Sequence, residues 1–226
     1  MGPRVSAGHT PKGRPPIVTY IADSVIPGMT MEEHVAYMAR ISNPENQMNH
    51  ETAPRLVAYL QRKAHWSPFE MVSITMQIDT TRDIARQILR HRSFSFQEFS
   101  QRYAVAELGT VLREARLQDT ANRQSSLEVD DDVLQRKWAL QQERVAEQAQ
   151  HAYEWALSHG IAKEVARSVL PEGLTMSRMY MAGTLRSWIH YCTLRMGNGT
   201  QKEHRAIAEQ AWRHIVERMP SVEGLG

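Results

Sequence analysis

The chain has 226 residues, 27 Lys and Arg against 25 Asp and Glu, and a formal net charge of +2. This length suits one domain, or one with an insertion, and so small a charge argues against a polycation built for nucleic acid. A single cysteine, Cys192, excludes an internal disulfide and a cysteine-rich zinc site, no two histidines stand four apart, and no apolar run approaches the roughly 18 residues of a membrane helix. We therefore expect a cytoplasmic protein with no metal, membrane or nucleic-acid partner.

Residues 1–16 mix Gly, Pro, Lys and Arg with little to bury and read as a disordered tail before a single domain over 17–226. A strand is expected over 17–26, a turn at Pro27-Gly28, and a helix over 31–41 capped by Thr30. Thr52 is placed to cap a second helix running to Ala64, and Pro68 then disfavours helix at Ser67. Val72, Ile74, Met76 and Ile78 alternate with Ser73, Thr75, Gln77 and Asp79, the period of a strand with one buried face. Thr80 or Thr81 starts a helix through Leu89, with Ile84 and Ile88 inward and Arg82, Arg86 and Arg90 on a second stripe. An extended stretch is expected over 93–96.

From 104 to 132 the sequence turns polar and acidic, which predicts a surface insertion with a short helix near 111–117. A long amphipathic helix over 133–158 closes at Gly160, and another over 162–169 stops before Pro171. A strand over 175–181 and a helix over 184–196 follow. The last helix, 201–219, carries Ile207, Ala211, Ile215 and Met219 on one stripe. Strands and helices mix without a βαβ rhythm, so the class is α+β. With neither GxGxxG nor a phosphate-loop GxxxxGK[ST], a nucleotide or flavin would be held by side chains and irregular backbone.

The chemistry concentrates in RHRSFSFQEFSQR, from Arg90 to Arg102. Three guanidinium groups so close repel one another unless anions separate them, and guanidinium grips phosphate or carboxylate with paired hydrogen bonds. The chain carries 22 arginines against 5 lysines, and five of the arginines (Arg82, Arg86, Arg90, Arg92 and Arg102) crowd residues 82–102. Phe94, Phe96 and Phe99 read as core rather than as stacking platforms, and Cys192 as a small core residue rather than a nucleophile.

Arg90-His91-Arg92, then seven residues, then Ser100 resembles the signature of the flavin-dependent thymidylate synthases. Three further segments resemble that family in its own order: His65-Trp66-Ser67-Pro68-Phe69-Glu70, Ala166-Arg167 leading to Leu170-Pro171, and Leu185-Arg186-Ser187-Trp188 through Leu194-Arg195. The resemblance implies a ThyX-like fold, a twisted, mostly antiparallel sheet flanked by helices. It also implies reductive methylation of dUMP to dTMP, with methylenetetrahydrofolate as one-carbon donor, FAD as methylene and hydride carrier, NADPH as reductant, and a homotetramer with shared sites.

Carried over residue by residue, the resemblance implies flavin contacts at Ser67, Arg90, His91, Arg92, Glu98, Thr184, Arg186 and His190. Thr184 stands where many members have asparagine. It implies dUMP contacts at Gln87, Ile88, Leu89, Arg90, Glu98, Phe99, Ser100, Gln101, Arg102, Arg167 and Arg195. Arg195 is the expected catalytic residue, because a fixed guanidinium beside the uracil edge favours ionisation at N3. Ser100 has no evident base and is expected to donate a hydrogen bond rather than to attack. Two other readings compete: a flavin- and folate-dependent methyltransferase acting on uracil in RNA, and a non-enzymatic nucleic-acid-binding module.

Overall fold

The computed structural model describes residues 16–105 and 109–225, so the tail expected over 1–16 lies, except for Pro16, outside the described residues. Among them run the strands β1 (Ile17–Asp23), β2 (Ser73–Thr81), β3 (Ser95–Glu98), β4 (Arg116–Gln118), β5 (Ser126–Glu128) and β6 (Met176–Thr184). The helices are α1 (Met31–Ala39), α2 (Ala53–Arg62), α3 (Arg82–Ile88), α4 (Asp132–Ser158), α5 (Lys163–Ala166), α6 (Leu185–Met196) and α7 (Lys202–Arg218).

The main sheet has the order β1-β2-β6-β3, with every neighbouring pair antiparallel. Alternation decides its two faces. Ile74, Met76, Ile78, Met179 and Met181 are fully buried, while Arg178 and Tyr180 are exposed. On the outer face Arg178 donates two hydrogen bonds, 2.7 and 2.8 Å, to its cross-strand partner Asp79. The inner face joins one core with Leu185, Trp188 and Ile189 of α6 and Ile207, Ala211 and Ile215 of α7. Trp188 Nε1 donates to the carbonyl of Ile74 at 3.1 Å, which ties α6 to the middle of the sheet without leaving a buried donor unpaired. At Gly183 a Cβ would lie 2.5 Å from Phe94 Cδ1, so β6 can pass the Phe94 ring only with glycine there.

Thr30 caps α1 as expected, in a capping box with Glu33. Thr52 makes no such cap on α2, and its hydroxyl instead accepts from Arg40 Nη2 at 2.7 Å. The short helix expected near 111–117 is a correction, because that stretch is extended and leads into β4, which pairs with β5. Its backbone donors are satisfied from outside: Arg113 N–H bonds Gln142 Oε1 at 2.8 Å and Ala115 N–H bonds Gln135 Oε1 at 2.7 Å. Two glutamines on α4 thus hold every second residue, which a helix cannot offer. Strand β6 runs to Thr184, three residues beyond the expected end. The helix expected over 162–169 is α5 followed by a 3-10 turn over Arg167–Val169.

Candidate active site

Helix α3 ends at Ile88, and the chain turns through Arg90-His91-Arg92 with the His91 N–H bonded to the Ile88 carbonyl at 3.0 Å. The last turn of α6 lies against this turn. Arg195 Nε donates to His91 Nε2 at 3.0 Å and so links two motifs 104 residues apart. An arginine only donates, so Nε2 of His91 is the accepting nitrogen and its proton sits on Nδ1. Burial, helped by the Arg195 charge, lowers the His91 pKa and keeps the ring neutral. The side chains of Arg90 and Arg92 are exposed and make no hydrogen bond or ion pair among the described residues. Ile88 is fully buried and Leu89 packs against the core, so their side chains face inward.

The second half of the signature behaves differently. Glu98, at the end of β3, accepts from Ser177 Oγ at 2.8 Å and lies 3.8 Å from Arg82. The Phe99 N–H bonds the Arg178 carbonyl at 2.8 Å, and Gln101 is buried. Ser100 Oγ accepts from the Arg102 N–H at 3.4 Å, and among the described residues no imidazole or carboxylate hydrogen-bonds it. Arg102 pairs with Glu164 at 3.3 Å, while Arg167 Nε bonds the Glu164 carbonyl at 3.4 Å. Among the described residues no hydrogen bond or ion pair joins this group to Gln87, His91 and Arg195. The fold brings together the expected nucleotide residues in two sets rather than one.

The expected flavin residues border the first set. A cavity of about 370 Å³ is lined by His91, Ser93, Ser187, His190 and Leu194, among others. His190 packs on Trp66 with ring centroids 5.4 Å apart, and Arg186 is paired with Glu70, so the HWSPFE segment lies beside α6. Ser67 is exposed in the 3-10 turn Ser67–Met71. Thr184 is the N-cap of α6, its hydroxyl accepting from the Ser187 N–H at 3.2 Å. Two guanidinium groups without a partner among the described residues flank His91, which lines this partly aromatic cavity, and the arrangement fits an anionic, ring-bearing ligand such as a flavin nucleotide.

Sequence reasoning missed three residues behind the signature. His204 is fully buried and lies between the Tyr191 hydroxyl, at 3.1 Å, and Gln87 Oε1, at 3.3 Å, while Gln201 accepts from Gln87 Nε2 at 2.8 Å. The signal was there: His204 opens the apolar stripe continued by Ile207, Ala211 and Ile215, where a polar side chain needs a partner. Cys192 is fully buried and burial raises its thiol pKa, which leaves it a core residue.

The family described as "Thymidylate synthase complementing protein" matches residues 24–221. The "Flavin-dependent thymidylate synthase" of Synechocystis is 49% identical over 195 residues, 86% of this chain and 88% of its own. The chain belongs to the flavin-dependent thymidylate synthase family. The "Probable flavin-dependent thymidylate synthase" of Paramecium bursaria Chlorella virus 1 is 47% identical over 203 residues, 89% of this chain and 94% of its own. Among solved structures, a UMP/dUMP methylase, PolB from Streptomyces cacaoi bound with 5-Br dUMP, superposes with a TM-score of 0.81 at 27% identity over 94% of this chain and 95% of its own. The α+β fold with an antiparallel sheet matches that structure. This thymidylate synthase is thus a flavin-dependent enzyme, which sets aside the nucleic-acid-binding module. Among its described residues no helix is long and apolar enough to cross a membrane, and no group of three or more His, Cys, Asp or Glu could hold a metal ion.

Proposed function

We propose that this enzyme methylates free dUMP to dTMP in the cytoplasm, with FAD as the flavin, methylenetetrahydrofolate as the one-carbon donor and NADPH as the reductant. The observation that carries the reading is the Arg195–His91 bond, because it fixes a guanidinium against the Arg90-His91-Arg92 turn, whose His91 lines the cavity. When bound, the flavin supplies reducing equivalents and relays the one-carbon unit. The chain supplies placement and charge. Neutral His91 takes the Nε–H of Arg195, so the remaining guanidinium N–H groups keep one direction. Set against the uracil edge, they favour loss of the N3 proton and stabilise the charge that develops on the ring.

Arg90, Arg92, His91, His190, Arg186, Ser67 and Thr184 are the residues we assign to the flavin, with Glu98 shared between flavin and nucleotide. Gln87, Arg90 and Arg195 take one side of dUMP, with Ile88 and Leu89 shaping the turn that carries them. Phe99, Ser100, Gln101, Arg102 and Arg167 take the other, with guanidinium groups for the phosphate. Among the described residues no hydrogen bond or ion pair joins the two sets, and we assign them to neighbouring subunits of a homotetramer. The long helix α4 supports this. Of its 27 residues only Gln142, Tyr153 and Ala156 are buried, while Trp138, Leu140, Val145 and Trp155 are between 43% and 53% exposed.

Subunit complementation tests the whole reading. Arg195→Ala and Arg102→Glu are each expected to be inactive when purified alone. Co-expressed, they form some sites in which both halves are intact, and tritium release from 5-tritiated dUMP should reappear. Persistent inactivity of the mixed enzyme would place both halves in one subunit. Activity with uridine-containing RNA but not with dUMP would favour the RNA reading.

A further inference from the structure

Behind the signature runs a chain of hydrogen bonds whose direction is fixed from one end. Glu203 can only accept, and it is bridged by Arg116 at 2.6 Å and Arg113 at 3.5 Å. It takes a hydrogen bond from Gln201 Nε2 at 3.0 Å, so the Gln201 carbonyl oxygen is the end that faces Gln87. Gln87 then donates through Nε2 to that oxygen at 2.8 Å and turns its own oxygen toward His204 Nδ1 at 3.3 Å. Nδ1 must therefore carry the proton. The other ring nitrogen lies 3.1 Å from the Tyr191 hydroxyl. Burial, with Arg195 and His91 adding to it, lowers the His204 pKa to about 3, so the ring is neutral and this nitrogen accepts from the tyrosine. The direction of the whole chain is thus set by the Glu203 carboxylate, and the His204 tautomer follows from it.

What this leaves to a ligand is the second Nε2 hydrogen of Gln87 and the remaining lone pair of its oxygen. Flipping the amide would set two acceptor oxygens face to face at Gln201, and His204 would have to change tautomer to meet the NH2 end. We propose that Gln201 and His204 are positioning residues for the Gln87 amide: Gln201, held by Glu203, fixes which end meets the pyrimidine nucleotide, and His204 holds that end in place from behind. The proposal rests on the reading of Gln87 as a nucleotide contact. It places His204, which has no access to ligand, behind the contact rather than in it.

The test compares flavin-loaded wild type, His204→Leu and His204→Gln by dUMP titration calorimetry, kcat, KM and melting temperature. His204→Leu removes both hydrogen bonds and should weaken dUMP binding about ten-fold, with KM moving more than kcat. His204→Gln keeps a donor for Gln87 and an acceptor for Tyr191, and it should recover most of that affinity. A merely structural role would lower the melting temperature of both variants and leave the dUMP affinity of the folded enzyme alone. Should His204→Leu not fold, Gln201→Leu breaks the same chain from the half-buried start of α7 and must weaken dUMP in the same way. Wild-type dUMP affinity in either folded variant overturns the proposal. A wild-type enzyme that binds no dUMP overturns the nucleotide reading beneath it instead.

Discussion

The two halves of the arginine signature are held by opposite means. On one side Gln87, His91 and Arg195 stand on the core, backed by the buried His204 and Tyr191 and by α7, six of whose residues are buried. On the other side Arg102 and Arg167 meet Glu164 near the surface, where the Arg102 and Glu164 side chains are both 55% exposed. Arg195 is pre-organised before any ligand arrives, whereas Arg102 is held by an ion pair that water weakens. A guanidinium that must sit within a few tenths of an ångström of a reacting ring belongs to the first kind. One that grips a flexible phosphate can belong to the second.

Arg195→Ala should damage the core-backed half most. Removing one fixed donor from a developing anion costs about 10²–10³ in kcat, and we expect a loss of that size with the flavin spectrum retained, because His91, Arg90 and Arg92 remain. Steady-state turnover and the visible spectrum of the variant decide it, and turnover near the wild-type level would remove Arg195 from the chemistry. Acid should sharpen the contrast next. His91 and His204 have lowered pKa values in the fold, so the unfolded chain binds more protons than the folded one below the ordinary histidine value of about 6.5. Their contribution to stability is complete above that pH and declines as pH falls through it, down to about 3 for His204. The melting temperature should therefore drop between pH 7 and pH 5, and His204→Gln should flatten that slope. An unchanged slope in the variant would mean that His204 is not held neutral by the fold.

The core-backed half was the more legible of the two in sequence, and the reason is periodicity. Ile74, Met76 and Ile78 alternate because β2 has one buried face, and Thr30 with Glu33 announces α1 by a local cap. The turn at Arg90 and the helix carrying Arg195 followed from such patterns, and their roles from the family resemblance. Their meeting did not follow, since only the fold brings His91 and Arg195 to 3.0 Å. The stretch 111–117 misled because its backbone partners are Gln135 and Gln142 on α4, far along the chain, and nothing local records them. The amphipathic pattern of α4 was read correctly as a helix, yet its apolar residues Trp138 and Trp155 stay exposed, and periodicity says that a face is apolar without saying what covers it.

The smallest effect is the one that tests the surface half most directly. Glu164→Gln removes the carboxylate that holds Arg102 while keeping the side chain's size and the backbone carbonyl that Arg167 uses. Exposed pairs of this kind are worth about 0.2–1 kcal/mol, so the melting temperature should barely move. Binding is another matter. With Arg102 assigned to the phosphate as proposed, it has to leave Glu164 before it can bind, and that carboxylate also repels the incoming anion. Freeing the guanidinium should therefore tighten dUMP by at most about five-fold, the equivalent of that same 1 kcal/mol. A looser dUMP in Glu164→Gln would show the opposite design, in which the carboxylate aims Arg102 at the phosphate instead of competing for it. The surface half would then be pre-organised as well, and the two halves would differ only in burial.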